Sequence, residues 1–316
     1  MDLPEIRVPS DKAGARIDVV ASELSGLTRS RIQRLIEEGL LKVNGSEVRH
    51  NYRTRPDDAI VISCPEQTDT LAPEDIPIEV MYQDDMLIVV NKPAGLVVHP
   101  AAGHRGGTLM NAIARRVSKM AAAGAPLRPG VVHRLDKDTS GVIVVALEDS
   151  VYYDLVEQFR KRTITRRYQA LVYGALRAET GEISSRIGRS ASDRKKMSTK
   201  TRRGKEAVTT WRVRERYSSA TLVEAVLGTG RTHQIRVHFA SIGHPVLGDE
   251  TYGRKMTVEV RTGKVRFPRQ MLHAEVLGFV HPSTGKYMEF NSPPPADMEE
   301  AIKGLRDSAG GKQGLP

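Results

Sequence analysis

Residues 133–145 read His133-Arg134-Leu135-Asp136-Lys137-Asp138-Thr139-Ser140-Gly141-Val142-Ile143-Val144-Val145. The apolar end of this stretch predicts a buried β-strand. The polar end, residues 133–141, predicts a turn in which several ionisable side chains lie close together. Because catalytic groups tend to lie on turns that a rigid sheet supports, this turn is a candidate active site. Its Asp, Thr and Ser side chains could equally serve only to bind nearby backbone donors.

Short β-like runs precede and follow this strand, and helical stretches are fewer. The predicted strands of this part of the chain are residues 78–82, 86–90, 142–147, 168–173, 209–213, 221–227 and 272–280. The predicted helices are residues 109–120, 151–162, 231–242 and 298–305. Strands that follow one another without strict alternation with helices are typical of an α+β fold. The sequence therefore predicts an α+β domain on a mixed, mainly antiparallel β-sheet with flanking helices and loops.

The N-terminal part of the chain predicts a separate, smaller domain. The length of 316 residues suggests about two domains at roughly 150 residues each. Residues 14–63 predict a small α/β unit of two helices with short strands, in which Asn44-Gly45 marks a tight turn. Residues 64–77 are acidic and contain prolines, which is typical of a linker. The second domain is predicted at residues 78–307, and the glycine-rich residues 308–316 are predicted to form a flexible tail.

Positive charge is concentrated in one part of the chain. The sequence has 48 Lys and Arg residues against 38 Asp and Glu residues, which gives a formal net charge of +10. Residues 158–205, the basic window, contain 15 of the basic residues and three acidic ones, so their surplus exceeds that of the whole chain. A basic run is usually a solvated surface. Concentration of the entire surplus in one window instead favours a polyanionic partner such as nucleic acid.

The composition argues against secretion and membrane insertion. Cys64 is the single cysteine, so no disulfide can form within the chain, and a reducing, cytoplasmic setting is expected. The start of the chain lacks the basic segment and apolar run of a signal peptide. No stretch approaches the roughly 20 apolar residues that a membrane-spanning helix needs.

A metal-dependent phosphatase is one alternative for the polar turn. The order Asp136-Lys137-Asp138-Thr139 is close to the Asp-x-Asp-x-Thr pattern of such enzymes, but the threonine follows the second aspartate at once. No other cluster of aspartates offers an obvious Mg²⁺ site. The spacing therefore argues against this reaction.

A second polar segment, residues 227–239, leads from a strand through glycines into a helix. His233 and His238 in this segment are five residues apart, whereas metal-binding pairs on a helix are normally four apart. His238 lies on the apolar stripe of the helix and is predicted to be a core residue. Gly228-x-Gly230 lacks the rest of a nucleotide-binding fingerprint, so it is a weak signal for phosphate binding.

Residues 166–174 alternate like a half-buried strand, with Tyr168, Ala170 and Val172 on one face. A tyrosine at such a position is usually part of the core. Because Tyr168 lies within the basic window, its ring could instead stack on a nucleic-acid base, a contact worth roughly 1–3 kcal/mol.

Three motifs together resemble the RluA-type pseudouridine synthase family. Residues 133–141 match the family signature His-Arg-Leu-Asp-x-x-Thr-Ser-Gly at every specified position. Residues 230–238 match Gly-Arg-Thr-His-Gln-Ile/Leu-Arg-x-His, and residues 91–95, Asn-Lys-Pro-Ala-Gly, match a further block. The N-terminal unit resembles an S4 RNA-binding domain through Arg16-Ile17-Asp18, Ser30-Arg31-Ile32-Gln33, Gly39 and Val43-Asn44-Gly45. The S4 domain and the long catalytic domain favour the D-type branch of the family, with the C-type branch as the alternative.

The resemblance implies an enzyme that converts uridine in RNA to pseudouridine. Such an enzyme breaks the bond from N1 of uracil to C1′ of ribose, turns the detached base and rejoins it through C5, so no cofactor or metal ion is needed. The family's catalytic aspartate maps to Asp136, as nucleophile or base, and Asp138 is then a structural acid. The family's arginine maps to Arg231, for which an ion pair with Asp136 is predicted. Its active-site tyrosine maps to Tyr168, which would stack on a flipped uracil.

The resemblance also implies RNA contacts. Arg134 maps to the family arginine that can take the place of the flipped base, with phosphate binding as its alternative role. The expected partner is large-subunit ribosomal RNA or the assembling large subunit, and the chain is expected to be a monomer. The basic window would contact phosphates, and the second S4 helix would form a separate anchor. The candidate residues in these two regions are Arg166, Arg167, Lys195 and Lys196, and Arg31 and Arg34.

The main alternative function is an RNA-binding ribosome-assembly factor with an inert synthase-like domain. The presence of Asp136, Tyr168 and Arg231 favours the enzyme, because RNA binding alone does not require these three groups as a set. The metal-dependent phosphatase is the third and least supported function.

Overall fold

The structure is a computed structural model that describes residues 4–27, 29–63, 71–101, 105–193, 196–201, 203–261 and 263–309. The chain divides into two compact units, Met1–Thr70 and Leu71–Pro316. Each unit has its own hydrophobic core. Residues 64–70 of the predicted linker and residues 310–316 of the predicted tail lie outside the described residues.

The first unit packs two helices against a small β-sheet. Its elements are β1 (Ile6–Arg7), a 3-10 turn (Ser10–Lys12), α1 (Ile17–Ser25), α2 (Arg29–Glu37), β2 (Leu41–Val43), β3 (Ser46–Glu47) and β4 (Ala59–Ile62). The sheet order is β1-β4-β2-β3. Asn44 and Gly45 have φ of 51° and 79° and form the predicted tight turn between β2 and β3. The core unites apolar residues of both helices with those of β2 and β4, including Ile17, Ile32, Leu41, Ile60 and Ile62.

Asp18 holds the two helices of this unit together. Its side chain is fully buried, and it accepts hydrogen bonds from Arg16, Arg29 and Gln33 at 2.6–3.0 Å. Burial by itself would raise the pKa of Asp18, but the hydrogen bonds from Arg16, Gln33 and Arg29 outweigh it and lower the pKa to about 2. The carboxylate is therefore a structural link between α1 and α2.

The second unit is built on one large β-sheet. Its elements are β5 (Glu79–Gln83), β6 (Leu87–Lys92), α3 (Leu109–Arg116), β7 (Ser140–Ala146), α4 (Asp149–Lys161), β8 (Thr165–Tyr173), β9 (Thr180–Arg189), β10 (Met197–Ser198), β11 (Lys205–Arg216), β12 (Ala220–Leu227), α5 (Gln234–Ser241), β13 (Thr257–Val260), β14 (Gly263–Arg266), β15 (Leu272–Val280), β16 (Tyr287–Asn291) and α6 (Ala296–Ala309). The 10-stranded sheet has the order β10-β9-β11-β12-β8-β15-β7-β6-β5, with β16 also paired to β15, and β13 and β14 form a separate hairpin.

The sheet is mixed, with one parallel pairing among the described strands. Strand β7 runs parallel to β15, and the other pairings of this sheet are antiparallel. The predicted α+β class with a mainly antiparallel sheet is therefore confirmed. Ala274 of β15 pairs with Gly141 on one side and with Tyr168 of β8 on the other. This register brings the end of the polar turn and Tyr168 to the same region of the sheet.

Both faces of the sheet are covered, which corrects one expectation. Tyr168, Ala170 and Val172 on one face of β8 belong to a core that includes α3 and α5. On the opposite face, Leu171 belongs to a core with α6. Strand β8 is therefore buried on both faces, and the prediction of a half-buried strand is wrong because apolar residues of distant helices cover its second face.

Residues 71–77 are attached to the second unit although they were predicted to belong to the linker. The side-chain amide of Asn111 donates to the carbonyl of Ala72 at 2.7 Å. The carboxylate of Glu74 accepts hydrogen bonds from the backbone N–H of Gly107 at 3.0–3.1 Å. Leu71 packs against the main core. At the other end, α6 continues to Ala309, two residues into the predicted tail.

Candidate active site

The polar turn at residues 133–139 and the segment at residues 227–236 line the same cavity. Its volume is about 720 Å³, and Tyr168 of β8 and Phe159 of α4 complete its wall. Asp136 is the acidic residue among the described residues that line the cavity, whereas several arginines lie around it. These arginines are Arg236 in α5 and, outside that helix, Arg128, Arg134, Arg160, Arg162, Arg166 and Arg231. The cavity is thus strongly basic around one carboxylate.

Backbone hydrogen bonds hold the polar turn that contains Asp136. The carbonyl of Asp136 accepts from the N–H of Thr139 at 3.1 Å. The carbonyl of Lys137 accepts from the N–H of Gly95 and from Nζ of Lys92, both at 3.0 Å. The carbonyl of Asp138 accepts from Nη1 of Arg269 at 3.0 Å. Three consecutive carbonyls are therefore bound, and the turn has little freedom to move.

Lys92 of the Asn-Lys-Pro-Ala-Gly block is fully buried. Its ammonium group also donates to the carbonyls of Pro93 and Leu96 at 2.8 Å each. Burial lowers the pKa of Lys92 to about 7, although the negative charge of Asp138 opposes this shift. The side chain joins the loop after β6 to the polar turn.

Gly141 allows the turn to enter the sheet. Its φ is +117°, and a Cβ at this position would lie 2.2 Å from the carbonyl oxygen of Ala274. Only glycine fits so close to the neighbouring strand. Ser140 and Gly141 therefore begin β7 directly beside β15, and this contact fixes where the turn projects from the sheet.

Arg236, in the first turn of α5, is the ion-pair partner of Asp136. Its Nη1 donates to Oδ2 of Asp136 at 2.9 Å. Its Nε and Nη2 donate to the two oxygens of Asp249 at 2.7 and 3.0 Å. Asp249 is fully buried and also accepts from the N–H groups of Thr251 and Tyr252 at 2.9 and 3.1 Å. The buried pair with Asp249 orients the guanidinium that binds Asp136.

The predicted ion pair between Asp136 and Arg231 is wrong. Nε of Arg231 donates instead to the backbone carbonyl of Glu206 at 3.1 Å. The buried Gln234 side chain shapes this turn, because it accepts from the N–H of Arg231 at 3.0 Å and donates to the carbonyl of Val208 at 2.9 Å. Arg231 is thereby tied to β11, although it still lines the cavity.

Tyr168 lines the cavity from β8. It is 8% exposed, and alanines at positions 225 and 274 are its partners on the two neighbouring strands. Burial raises the pKa of Tyr168, the charge of Arg166 opposes the shift, and the carboxylate of Asp136 adds to it. The phenol is therefore neutral at neutral pH.

Arg166 and Arg167, predicted together as RNA contacts, lie on opposite faces of β8. Arg166 is buried, with its guanidinium 5.3 Å from the centre of the Phe159 ring and Nη2 bonded to the carbonyl of Leu227 at 3.2 Å. Its Nε is buried without a hydrogen-bond partner. Arg167 forms an ion pair with Glu289 at 2.9 Å, away from the cavity. Alternation along the strand separates the two side chains.

The other predicted RNA-binding residues lie in several places. Arg134 is exposed at the cavity, and Arg31 is exposed on α2. Arg34 forms an ion pair with Glu38 at 2.9 Å. Lys196 lies 3.9 Å from Asp193, and Lys195 lies outside the described residues. Of the predicted basic residues that the structure describes, Arg134, Arg166 and Arg231 therefore lie at the cavity.

Two histidines of the motifs are structural. Nε2 of His133 accepts the N–H of Val144 at 3.1 Å, and burial lowers the pKa of His133 to about 3. His238 is fully buried between the hydroxyls of Ser185 and Thr209, at 3.0 and 2.9 Å, and burial lowers its pKa to about 4. The prediction that His238 is a core residue is confirmed. Both rings are neutral at neutral pH, and both nitrogens of His238 have hydrogen-bond partners.

His233 is a further candidate for a role in the active site, although its position in the sequence was weighed only for metal binding. Its Nε2 lies 3.8 Å from Oδ1 of Asp136, and its Nδ1 is 2.8 Å from the hydroxyl of Tyr252. The Tyr252 ring also covers the guanidinium of Arg236, at 5.2 Å. An arginine among the apolar residues of α5 is the sequence signal that could have indicated this network, because a buried arginine needs carboxylate partners. Within the described part of the chain, no group of His, Cys, Asp and Glu side chains is arranged to hold a metal ion.

The second unit matches the family model of RNA pseudouridylate synthases over residues 86–241, and residues 15–60 match that of the S4 domain. The uncharacterized RNA pseudouridine synthase YlyB of Bacillus subtilis is 44% identical over 97% of this chain and 99% of its own length. The chain belongs to the RNA pseudouridine synthase family. It is thus an enzyme that isomerises uridine in RNA, with an S4 domain at its N-terminal end.

More particular similarities lie within this family. Ribosomal large subunit pseudouridine synthase D of Zymomonas mobilis is 40% identical over 96% of this chain and 98% of its own length. The protein of the same name from Xanthomonas campestris is 42% identical over 96% and 92%. The solved structure of human RNA Pseudouridylate Synthase Domain Containing 1 is 26% identical with a TM-score of 0.55, over 74% of this chain and 96% of that chain. No helix in the described residues is both long and apolar enough to cross a membrane.

Proposed function

We propose that the chain isomerises uridine to pseudouridine in large-subunit ribosomal RNA, with Asp136 as the nucleophile or base. The main support is the state of this carboxylate. Arg236 binds Oδ2 of Asp136 at 2.9 Å, while Oδ1 accepts no hydrogen bond from the described residues. An oriented carboxylate with one free oxygen beside a basic cavity is suited to attack or to accept a proton.

The reaction uses the cavity residues in a defined order. Asp136 acts as the nucleophile or base while the bond between N1 of uracil and C1′ of ribose breaks, and Arg236 holds the carboxylate in place. The detached uracil turns between the phenol ring of Tyr168 and the opposite wall of the cavity. C5 then bonds to C1′, the hydrogen on C5 leaves as a proton to solvent, and N1, which carried the ribose in uridine, gains a proton. The composition of the nucleotide is unchanged, so the proposal requires no cofactor.

The basic rim of the cavity supports RNA as the substrate that enters it. Arg134 and the neighbouring Arg128 are exposed at the cavity, where they can bind the phosphates on either side of a flipped uridine. The family resemblance implies that Arg134 inserts into the position that the flipped base leaves, and phosphate binding is its alternative role. Two relatives named ribosomal large subunit pseudouridine synthase D support large-subunit ribosomal RNA as the target.

The N-terminal unit is proposed to add affinity rather than chemistry. Arg31 on α2 is exposed and available for a phosphate. Two RNA-binding units on one chain raise each other's effective concentration at the RNA. A chain that lacks residues 1–66 is therefore expected to bind ribosomal RNA more weakly or less selectively, while it still modifies RNA at high concentration.

The proposed function is tested by mapping pseudouridine in unmodified large-subunit ribosomal RNA after incubation with the wild type and with Asp136→Ala. A chelator is present, and circular dichroism confirms that both proteins are folded. Site-specific pseudouridine with the wild type alone supports the proposal. If neither protein modifies free RNA or assembling subunits, and both bind equally well, the RNA-binding assembly factor becomes the better description.

A further inference from the structure

His233 lies beside the oxygen of Asp136 that Arg236 leaves free. Its Nε2 is 3.8 Å from Oδ1 of Asp136, which is within the range of an ion pair but about 0.6 Å beyond that of a hydrogen bond. Hydrogen bonds of catalytic groups often shorten when substrate binds. The carboxylate therefore has a guanidinium at one oxygen and an imidazole edge at the other.

The backbone of His233 is in an unusual conformation that directs the ring to this place. Its φ is 56° and its ψ is 22°, in the left-handed region, at the residue that precedes α5. A non-glycine residue in this region is uncommon and is often found at functional sites. The helix begins at Gln234 directly after this residue, so His233 and Arg236 approach Asp136 from the same turn.

The contact with Tyr252 favours one tautomer of His233. The hydroxyl oxygen of Tyr252 already accepts the backbone N–H of Met197 at 2.9 Å, and the hydroxyl can donate its proton to Nδ1 of His233, at 2.8 Å. With Nδ1 as the acceptor, the neutral ring carries its proton on Nε2, which faces the negative charge of Asp136. The negative charge of Asp136 and the hydrogen bond from Tyr252 both favour the tautomer with the proton on Nε2.

We infer that His233 is a positioning residue for Asp136: its Nε2–H donates to Oδ1 and, with Arg236 at Oδ2, sets the plane of the carboxylate during the reaction. The inference rests on the proposed role of Asp136. Tyr252 acts through His233 and Arg236, because it favours one tautomer of His233 and its ring covers the guanidinium of Arg236. Oδ1 retains a second lone pair for the substrate.

Two substitutions of similar size separate the two contacts of His233. His233→Asn tolerates the left-handed backbone and places its amide near Tyr252, but it does not reach Asp136. His233→Gln extends an amide N–H to the position of Nε2 and loses the contact with Tyr252. We expect His233→Asn to slow the reaction about 10- to 100-fold, as for loss of one hydrogen bond to a charged group. We expect His233→Gln to remain within about fivefold of the wild type.

The measurement is the single-turnover release of tritium from large-subunit ribosomal RNA labelled at C5 of uridine, because C5 loses its hydrogen in the reaction. Dissociation constants for the same RNA are measured in parallel and are expected to be unchanged. A slow His233→Asn with a faster His233→Gln supports the inference. Wild-type rates for His233→Asn, or equal losses in both variants, overturn it.

Controls separate this inference from the proposed function. If the wild type releases no tritium, or Asp136→Asn is as active as the wild type, the proposed function fails. If His233→Asn melts below the assay temperature, Tyr252→Phe decides, since it keeps the ring over Arg236 and removes only the hydroxyl. A rate about threefold or more below the wild type, with unchanged melting, then supports the inference, and an unchanged rate overturns it.

Discussion

The two units of the chain each contain an aspartate bound by arginine, and the two aspartates differ in one respect. Asp18 in the N-terminal unit is fully buried, and both of its oxygens accept hydrogen bonds from Arg16, Arg29 or Gln33. Asp136 in the catalytic unit is 17% exposed, and Arg236 binds only Oδ2. A saturated carboxylate stabilises a fold, whereas one with a free oxygen beside a cavity can react.

The same distinction applies inside the active site. Asp249 shares Arg236 with Asp136, but it is fully buried and its oxygens accept four hydrogen bonds from Arg236, Thr251 and Tyr252. Its chemistry is therefore confined to holding the guanidinium. Ion pairing with arginine therefore does not distinguish the carboxylate that we propose as reactive from the structural ones, whereas an oxygen without a hydrogen bond does.

The largest expected effect is the loss of activity when Asp136 is replaced, which is not expected when Asp18 is replaced. We expect Asp136→Asn to reduce pseudouridine formation by ~10³-fold or more, because the reactive carboxylate is lost. Its stability should change by about 1 kcal/mol or less, because Arg236 keeps its two bonds to Asp249. The checks are tritium release and thermal unfolding. Activity within tenfold of the wild type would contradict the role assigned to Asp136.

The next largest effect is a loss of stability and activity that we expect when Arg236 is replaced but not when Arg231 is replaced. Arg236→Lys keeps the charge but cannot form the bidentate bond to the buried Asp249, so it should destabilise the second unit by about 3 kcal/mol. It should also lower activity more than 100-fold. Arg231→Lys is the matched control, with activity within about fivefold of the wild type. Urea unfolding and tritium release measure both variants, and a larger loss for Arg231→Lys would restore the ion pair predicted from the sequence.

A smaller effect concerns Asp18 and is confined to the first unit. Asp18→Asn replaces the buried acceptor of Arg16, Arg29 and Gln33 with a neutral amide, at a cost of about 2 kcal/mol. Hydrogen exchange resolved by peptide should increase within residues 14–63 and remain unchanged in the second unit. Single-turnover activity at saturating RNA should be close to the wild type. Faster exchange around Asp136 would show that the two networks are not independent.

The smallest effect is a pH dependence of the first unit. The pKa of Asp18 is about 2 in the folded chain, below its ordinary value of 3.8. Its contribution to stability is therefore complete above pH 3.8 and is lost as the pH falls through 2. The protection of amide hydrogens within residues 14–63, corrected for the intrinsic exchange rate at each pH between 5 and 2.5, should fall on acidification more steeply in the wild type than in Asp18→Asn. Parallel curves would contradict this assignment.

The sequence predicts most elements of the large sheet because their apolar residues form continuous runs. Strand β15 has the predicted bounds, Leu272–Val280, and β7 is buried along its length as expected. Strand β9 was not predicted, since Ile183 and Ile187 are its only buried residues and lie four apart. Strands β10, β13, β14 and β16 are short or largely exposed, so their pairing depends on neighbours that local sequence does not reveal.

The sequence predicts which motifs form the site, but it does not predict which side chains of these motifs contact one another. Asp136, Tyr168 and Arg231 all line the cavity, as expected. The partner of Asp136 depends on the left-handed turn at His233, which directs Arg236 rather than Arg231 to the carboxylate. The opposite directions of Arg166 and Arg167 follow from strand alternation and were predictable. The roles of Asp249 and Tyr252 were not, because they act through tertiary contacts far from the motifs.

The burial of Lys92 makes this amine a chemical reporter of the native fold. Its Nζ is bound by the carbonyls of Pro93, Leu96 and Lys137 and is shielded from solvent. Acetic anhydride should therefore label exposed lysines of the folded chain and spare Lys92, and should label Lys92 only once the turn around Asp136 opens.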